Sequence, residues 1–140
     1  MGRILALDYG RKRTGIAVTD PLQLIAGGLT TVRSCDLLAF LLDYTSKEEV
    51  ELIIIGLPRQ MNGEASESMK YITPFVGQLK SKIKIPVEFV DERFTSVLAH
   101  RAMLEGGLKK SDRQNKALVD EISATIILQS YLESKTQNRL

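Results

Sequence analysis

The chain has 140 residues, 44% hydrophobic and 26% charged, the size and balance of a single compact domain spanning 1–140. Nineteen basic residues against 17 acidic leave a net charge of +2, so overall charge singles out no polyanionic partner and placement has to decide. No apolar run is long enough to span a membrane, Asp8 breaks any signal-peptide pattern early, and the single Cys35 cannot form an internal disulfide; a cytoplasmic protein without membrane association is expected.

Ile4 to Leu7 and Gly15 to Thr19 are short apolar segments joined by "DYGRKRT", the pattern of a β-hairpin with a basic tip. "GGLTTVR", after Pro21, supplies a third strand. From Ser34 the period changes: Leu37, Leu38, Leu41 and Leu42 fall at helical spacing, with Ser34 or Asp36 as N-cap. "LIIIG" at 52–56 is apolar without alternation, as in a strand covered on both faces and parallel to its neighbours. Beyond Pro58 and "MNGE", the positions Met69, Ile72, Val76, Leu79 and Ile83 step by three and four along an amphipathic helix. Pro74 within it removes a backbone donor and is expected to kink the helix or split off its first turns. "PVEFV" gives a fifth strand, "TSVLAHRAML" a helix capped by Thr95 or Ser96, and "GGLKKSDRQNK" a polar loop. "ALVDEISATIILQSYL" is a final amphipathic helix, and the tail "ESKTQNRL" is expected to fray. The order β-β-β-α-β-α-β-α-α predicts an α/β fold, a five-stranded mixed β-sheet flanked by α-helices on both faces. In such sheets, sites gather at the carboxyl ends of the parallel strands.

That edge is acidic. Asp8 follows the first strand, and "VDER" puts Asp91 and Glu92 where the fifth strand ends. Asp120, on the last helix, shares a stripe with Ala124, Ile127, Leu128 and Tyr131, a face otherwise suited to the core. Converging carboxylates repel one another unless a cation binds between them, and hard oxygen ligands favour Mg²⁺ or Mn²⁺ over zinc. One or two such ions, roughly 4 Å apart when paired, hydrolyse phosphodiester bonds without help from histidine or serine. The one histidine, His100, has no partner at ligand spacing and reads as a surface residue. Each acid also has a plain structural reading: a turn residue for Asp8, helix-entry charges for Asp91 and Glu92, an ion pair with Lys116 for Asp120. Their conjunction favours the metal site. Basic residues stand close by, with Arg11, Lys12 and Arg13 at the hairpin tip and Arg93 after Glu92. Lys109, Lys110, Arg113 and Lys116 face a single acid, Asp112, in their segment; they suit phosphate contacts or a solvated loop.

"LALDYGRKRTGIAVTD", "IIIGLPRQMNGE", "VEFVDERFTS" and "VDEISATIILQSYL", in this order, resemble the YqgF family, also called RuvX, known as Holliday junction resolvases or pre-16S rRNA nucleases. The resemblance covers nearly the whole chain and implies an RNase H-like fold. It implies Asp8, Glu92 and Asp120 as catalytic carboxylates and metal ligands, and so selects Glu92 over Asp91. Arg13 and Arg93 match the family's basic positions and are implied phosphate contacts. Asn62 departs from the usual "MDG", and Pro74 interrupts a helix that is usually smooth.

The resemblance implies a metal-dependent nuclease acting on structured nucleic acid. Maturation of the 5′ end of pre-16S rRNA is the first reading and resolution of branched DNA the second; a non-catalytic nucleic-acid-binding scaffold is the third. "DYGRKRTG" also looks like the phosphate hairpin of actin-like ATPases and sugar kinases, but those enclose a nucleotide between two such domains and 140 residues supply one. With no Trp and 6% aromatic residues, stacking platforms are sparse, so recognition should rest on backbone shape and charge. Precision at one rRNA end would then come from the pre-ribosomal particle or from a second subunit in a homodimer.

Overall fold

The apolar run that opens the chain becomes the centre of a sheet. A computed structural model describes residues 2–57, 69–91 and 116–137. β1 (Arg3–Tyr9) and β2 (Arg13–Thr19) form the hairpin, and β3 (Ala26–Arg33) adds a third antiparallel strand. A single 3₁₀ turn, Ser34–Asp36, leads into α1 (Leu37–Lys47). β4 (Val50–Leu57), α2 (Met69–Lys82), β5 (Val87–Asp91) and α3 (Lys116–Gln137) complete the described elements. The strand order is β3-β2-β1-β4-β5, with β4 parallel to β1 and β5 parallel to β4. This is the expected five-stranded mixed sheet. The helix expected over "TSVLAHRAML", the loop over 106–115, and His100 lie outside the described residues.

Strand alternation sorts the core into two layers. Leu5, Leu7, Ile16, Ile53 and Ile55 pack with Leu37 and Leu41 of α1 and with Ile72, Phe75, Val76 and Leu79 of α2. Ile4, Ala6, Ala17 and Ile54 face the other way, onto Ala124, Ile127 and Leu128 of α3. "LIIIG" therefore contributes to both layers, as its lack of alternation requires.

Three local expectations change. Pro74 does not split the second helix, which runs unbroken through it. The proline costs one bond, to the carbonyl of Lys70, and both residues are exposed, so water can satisfy that carbonyl. The last helix takes in Lys116 at its start and runs to Gln137 instead of fraying after Leu132, because "ESKTQ" holds no glycine or proline to stop it. Neither Ser34 nor Asp36 caps α1 through its side chain. The Ser34 hydroxyl instead donates to the Gly10 carbonyl and lies 2.9 Å from Thr14 Oγ1, while its backbone N–H donates to the Lys12 carbonyl at 2.9 Å. It latches the hairpin tip to the end of β3.

Candidate active site

Asp8 is not in a turn. It is the penultimate residue of β1 and pairs with Gly15, followed by Tyr9 with Thr14, so the ladder runs past it and the turn shrinks to Gly10–Lys12. Gly10 permits this closure, since a Cβ there would stand 2.5 Å from the Arg13 carbonyl oxygen. Asp8 has the same parity as Ile4 and Ala6 and so belongs to the α3 face of the sheet. Tyr9 belongs to the other face, stacking on Phe75 of α2 at 5.0 Å between centroids.

The register shows what surrounds the carboxylate. Gly15 pairs on to Thr31 in β3. On the other side Leu7 pairs with Ile55, so the next step sets Asp8 beside Gly56, which pairs in turn with Val90 of β5. The row across the α3 face is thus Thr31, Gly15, Asp8, Gly56, Val90. Asp8 is only half-buried, and both of its lateral neighbours are buried glycines. Neither of these two strand neighbours carries a side chain, so β2 and β4 set no Cβ next to the carboxylate. One row further toward the carboxyl edge, Arg13 stands opposite Arg33.

α3 descends from this edge. Its Glu121 lies over Gly28, Ala124 packs in the layer with Ala6 and Ala17, and Gln129, Leu132 and Glu133 border the far loop between β2 and β3. Asp120 and Lys116 occupy the first turns of α3, but their side chains lie outside the described residues, as does that of Asp91. Glu92, Arg93, Lys109, Lys110, Arg113 and Asn62 also lie outside them. In β5 Val87 packs toward α2 and Val90 toward α3. Asp8 alone of the acidic trio has a described side chain, and among the described residues no three acids, histidines or cysteines form a metal-holding group.

The three basic residues of the hairpin tip differ. The Arg11 guanidinium lies 5.1 Å from the centroid of the Tyr71 ring on α2, a cation–π contact on the side away from Asp8. Lys12 is exposed, and Arg13 shares the face and edge of Asp8. Sequence reasoning missed Gly15, Gly56 and Arg33. The two glycines were visible as small residues in otherwise apolar strands, but only the strand register sets them beside Asp8.

Comparison with known proteins agrees with the architecture. The model of the RuvX family, described as Holliday junction resolvase, matches residues 2–134. A protein of Phocaeicola vulgatus, provisionally named a pre-16S rRNA nuclease, is 74% identical over 136 residues, covering 96% of this chain and 98% of its own. One of Bacteroides thetaiotaomicron with the same provisional name is also 74% identical, covering 96% and 99%. Among solved structures, T. thermophilus RuvC in complex with a Holliday junction substrate superposes with a TM-score of 0.57 at 16% identity, covering 97% of this chain and 96% of that one. That likeness is one of fold, an RNase H-like sheet with flanking helices. Matched over nearly its full length, the chain belongs to the RuvX family.

Proposed function

We propose that the protein is a metal-dependent nuclease that hydrolyses phosphodiester bonds in precursor 16S rRNA, trimming its 5′ end during ribosome assembly in the cytoplasm. The observation that carries the reading is Asp8, a half-buried carboxylate inside the β1 ladder with Gly15 and Gly56 on either side of it, at the edge where α3 begins. The full-length relatives at 74% identity support the RNA substrate through their name.

Asp8, Glu92 and Asp120 would hold Mg²⁺ or Mn²⁺. The donor set fits such an ion, being all hard oxygen. When bound, the ion supplies charge stabilisation at the phosphoryl oxygens and a water of lowered pKa. The chain's own residues then have distinct tasks. Pairing with Gly15 fixes the Asp8 backbone in the ladder, so the carboxylate starts from a set position before substrate arrives. Arg13 lies one row further out on the same face and holds the backbone of the nucleic acid against the edge, with Lys12 and the basic residues of 93–116 adding position but no sequence reading.

Branched DNA is the second reading, supported by the description of the family. One comparison separates the two. Equal amounts of protein are incubated with labelled precursor particles and with a synthetic four-way DNA junction in millimolar Mg²⁺ or Mn²⁺, and the ends are mapped. Defined cleavage at the 5′ end of precursor 16S rRNA is expected, dependent on Asp8. Symmetric paired nicks in the junction with intact precursor would establish the second reading, and cleavage of neither would leave a scaffold.

A further inference from the structure

Aromatic residues make up only 6% of the chain, yet three of them gather at the end of the sheet that carries Asp8. Tyr9, next to Asp8 in β1, turns to the α2 face and stacks on Phe75 at 5.0 Å between centroids. Tyr71 precedes Phe75 by four residues, one turn of α2 closer to the hairpin tip, and there the Arg11 guanidinium lies over its ring at 5.1 Å. Packing uses the inner ring and not the outer one. Phe75 is buried, whereas Tyr71 keeps 41% of its surface in water, and Arg11 is exposed as well. The surroundings are basic: α2 holds no acidic residue from Met69 to Lys82, and Lys70 beside Tyr71 is exposed. An accessible ring, a guanidinium over it and a lysine alongside form the combination that holds single-stranded nucleic acid. Bases stack on the ring or on the guanidinium plane, and the cations follow the backbone.

Resting on the nuclease reading above, we infer that Tyr71, with Arg11 over it, is a stacking platform for an unpaired base of the RNA substrate. Asp8 and Tyr9 are consecutive in β1 and belong to opposite faces of the sheet. A strand with a phosphate beside Asp8 on the α3 face therefore reaches the platform by passing over the carboxyl edge, which only an unpaired segment can follow. Tyr71 is on this account a positioning residue. It favours single-stranded over paired nucleotides and reads no sequence, because every base has a face that stacks. A free nucleotide presents the same base, and the experiment separates the two sources.

Binding of a fluorescent single-stranded RNA oligonucleotide is titrated in EDTA across a range of salt, alongside strands of the same length in which one abasic position is stepped from end to end. Wild type, Tyr71→Phe and Tyr71→Leu are compared, and melting temperatures check that each variant folds. Wild type should lose about tenfold in affinity at one abasic position. Tyr71→Leu should bind the intact strand as weakly as wild type binds that abasic one, be indifferent to the abasic position, and keep the wild-type slope of log K against log salt, since no phosphate contact is removed. Tyr71→Phe keeps the ring and should match wild type. An equal loss by Tyr71→Leu on intact and abasic strands would show that the ring only seats Arg11, and would overturn the platform. So would a wild type that binds every strand alike or binds none. Binding of adenosine monophosphate that depends on Tyr71, with oligonucleotide affinity unchanged in Tyr71→Leu, would overturn it in favour of a free nucleotide. Cleavage in Mn²⁺ is read separately: a wild type that senses the abasic position yet cuts nothing refutes the nuclease reading and leaves the platform standing.

Discussion

Two aspartates follow apolar strands in the first twenty residues, in "ILALD" and "GIAVTD", and the sequence gives them nearly the same setting. Their structures diverge. The carboxylate of Asp20 is spent on the loop after β2: it accepts backbone N–H groups of Ile25 at 2.8 Å, Leu24 at 2.9 Å and Leu22 at 3.1 Å. That loop includes Gln23 in the left-handed region at φ 60°. Asp8 lies inside a ladder, at the opposite end of the sheet, with glycine on both sides. An acid at the end of a strand is thus a turn builder when its oxygens meet backbone donors, and a reactive-site candidate when it stands within the ladder between glycines at the carboxyl edge of the parallel strands.

The strongest break in this comparison is Asp8→Asn. It removes one charge and no volume, so the fold should persist, with a melting temperature in EDTA equal to or above that of wild type. Cleavage should fall by roughly a hundredfold or more, while RNA affinity stays within a few-fold because the basic residues remain. Millimolar Mn²⁺ should raise the melting temperature of wild type more than that of the variant. Equal shifts would remove Asp8 from the ligand set.

A smaller effect tests the glycine beside Asp8. Gly56→Ala adds a single methyl next to Asp8, on the α3 face, where Cβ atoms of adjacent strands stand about 5 Å apart. Cleavage should drop roughly tenfold, about 1.4 kcal/mol of transition-state stabilisation, well below the melting transition. Activity that declines only in proportion to unfolded protein would mean the glycine has no part in the chemistry.

Smaller again is the latch. Ser34 is 9% exposed, and its hydroxyl serves both the Gly10 carbonyl and Thr14. Ser34→Ala should cost about 1–2 kcal/mol of stability, the range for leaving buried polar partners unsatisfied. RNA binding should weaken as the hairpin tip loses its fixed position against Arg33. A stability loss with unaltered affinity would show that the tip does not need to be held.

Much of this molecule is legible in its sequence, because period and composition are local. The unbroken apolar "LIIIG", the helical spacing of Leu37 and Leu41, and the stripe of Ala124, Ile127 and Leu128 all appear in the expected layers. Register is not local. That Gly56 flanks Asp8, or that Arg33 faces Arg13, depends on pairing between strands up to about fifty residues apart, and a slip of one residue would reverse every face. The same limit explains Ser34: its sequence position suits a helix cap, yet a hairpin twenty residues earlier takes its hydroxyl. The split expected at Pro74 does not occur for a simpler reason, since a proline's cost depends on whether the orphaned carbonyl faces water.

The mildest prediction concerns Asp20 and sharpens the contrast from its structural side. The backbone N–H of Ile25, followed by those of Leu24 and Leu22, holds its carboxyl below the ordinary value of 3.8. A depressed folded-state pKa means that the unfolded chain takes up the proton first as pH falls. The stabilisation is therefore fully present above the unfolded value and is lost as pH drops through the folded one. Asp20→Asn should lower the melting temperature slightly at neutral pH, and the difference from wild type should begin to close below about pH 4 and vanish at lower pH. The RNA-cleaving activity of this variant should match wild type throughout the range where both are folded, since the loop lies at the far end of the sheet from Asp8. A difference in melting temperature that stays constant down to about pH 2 would show that the amide fails for steric reasons and that the charge of Asp20 contributes nothing.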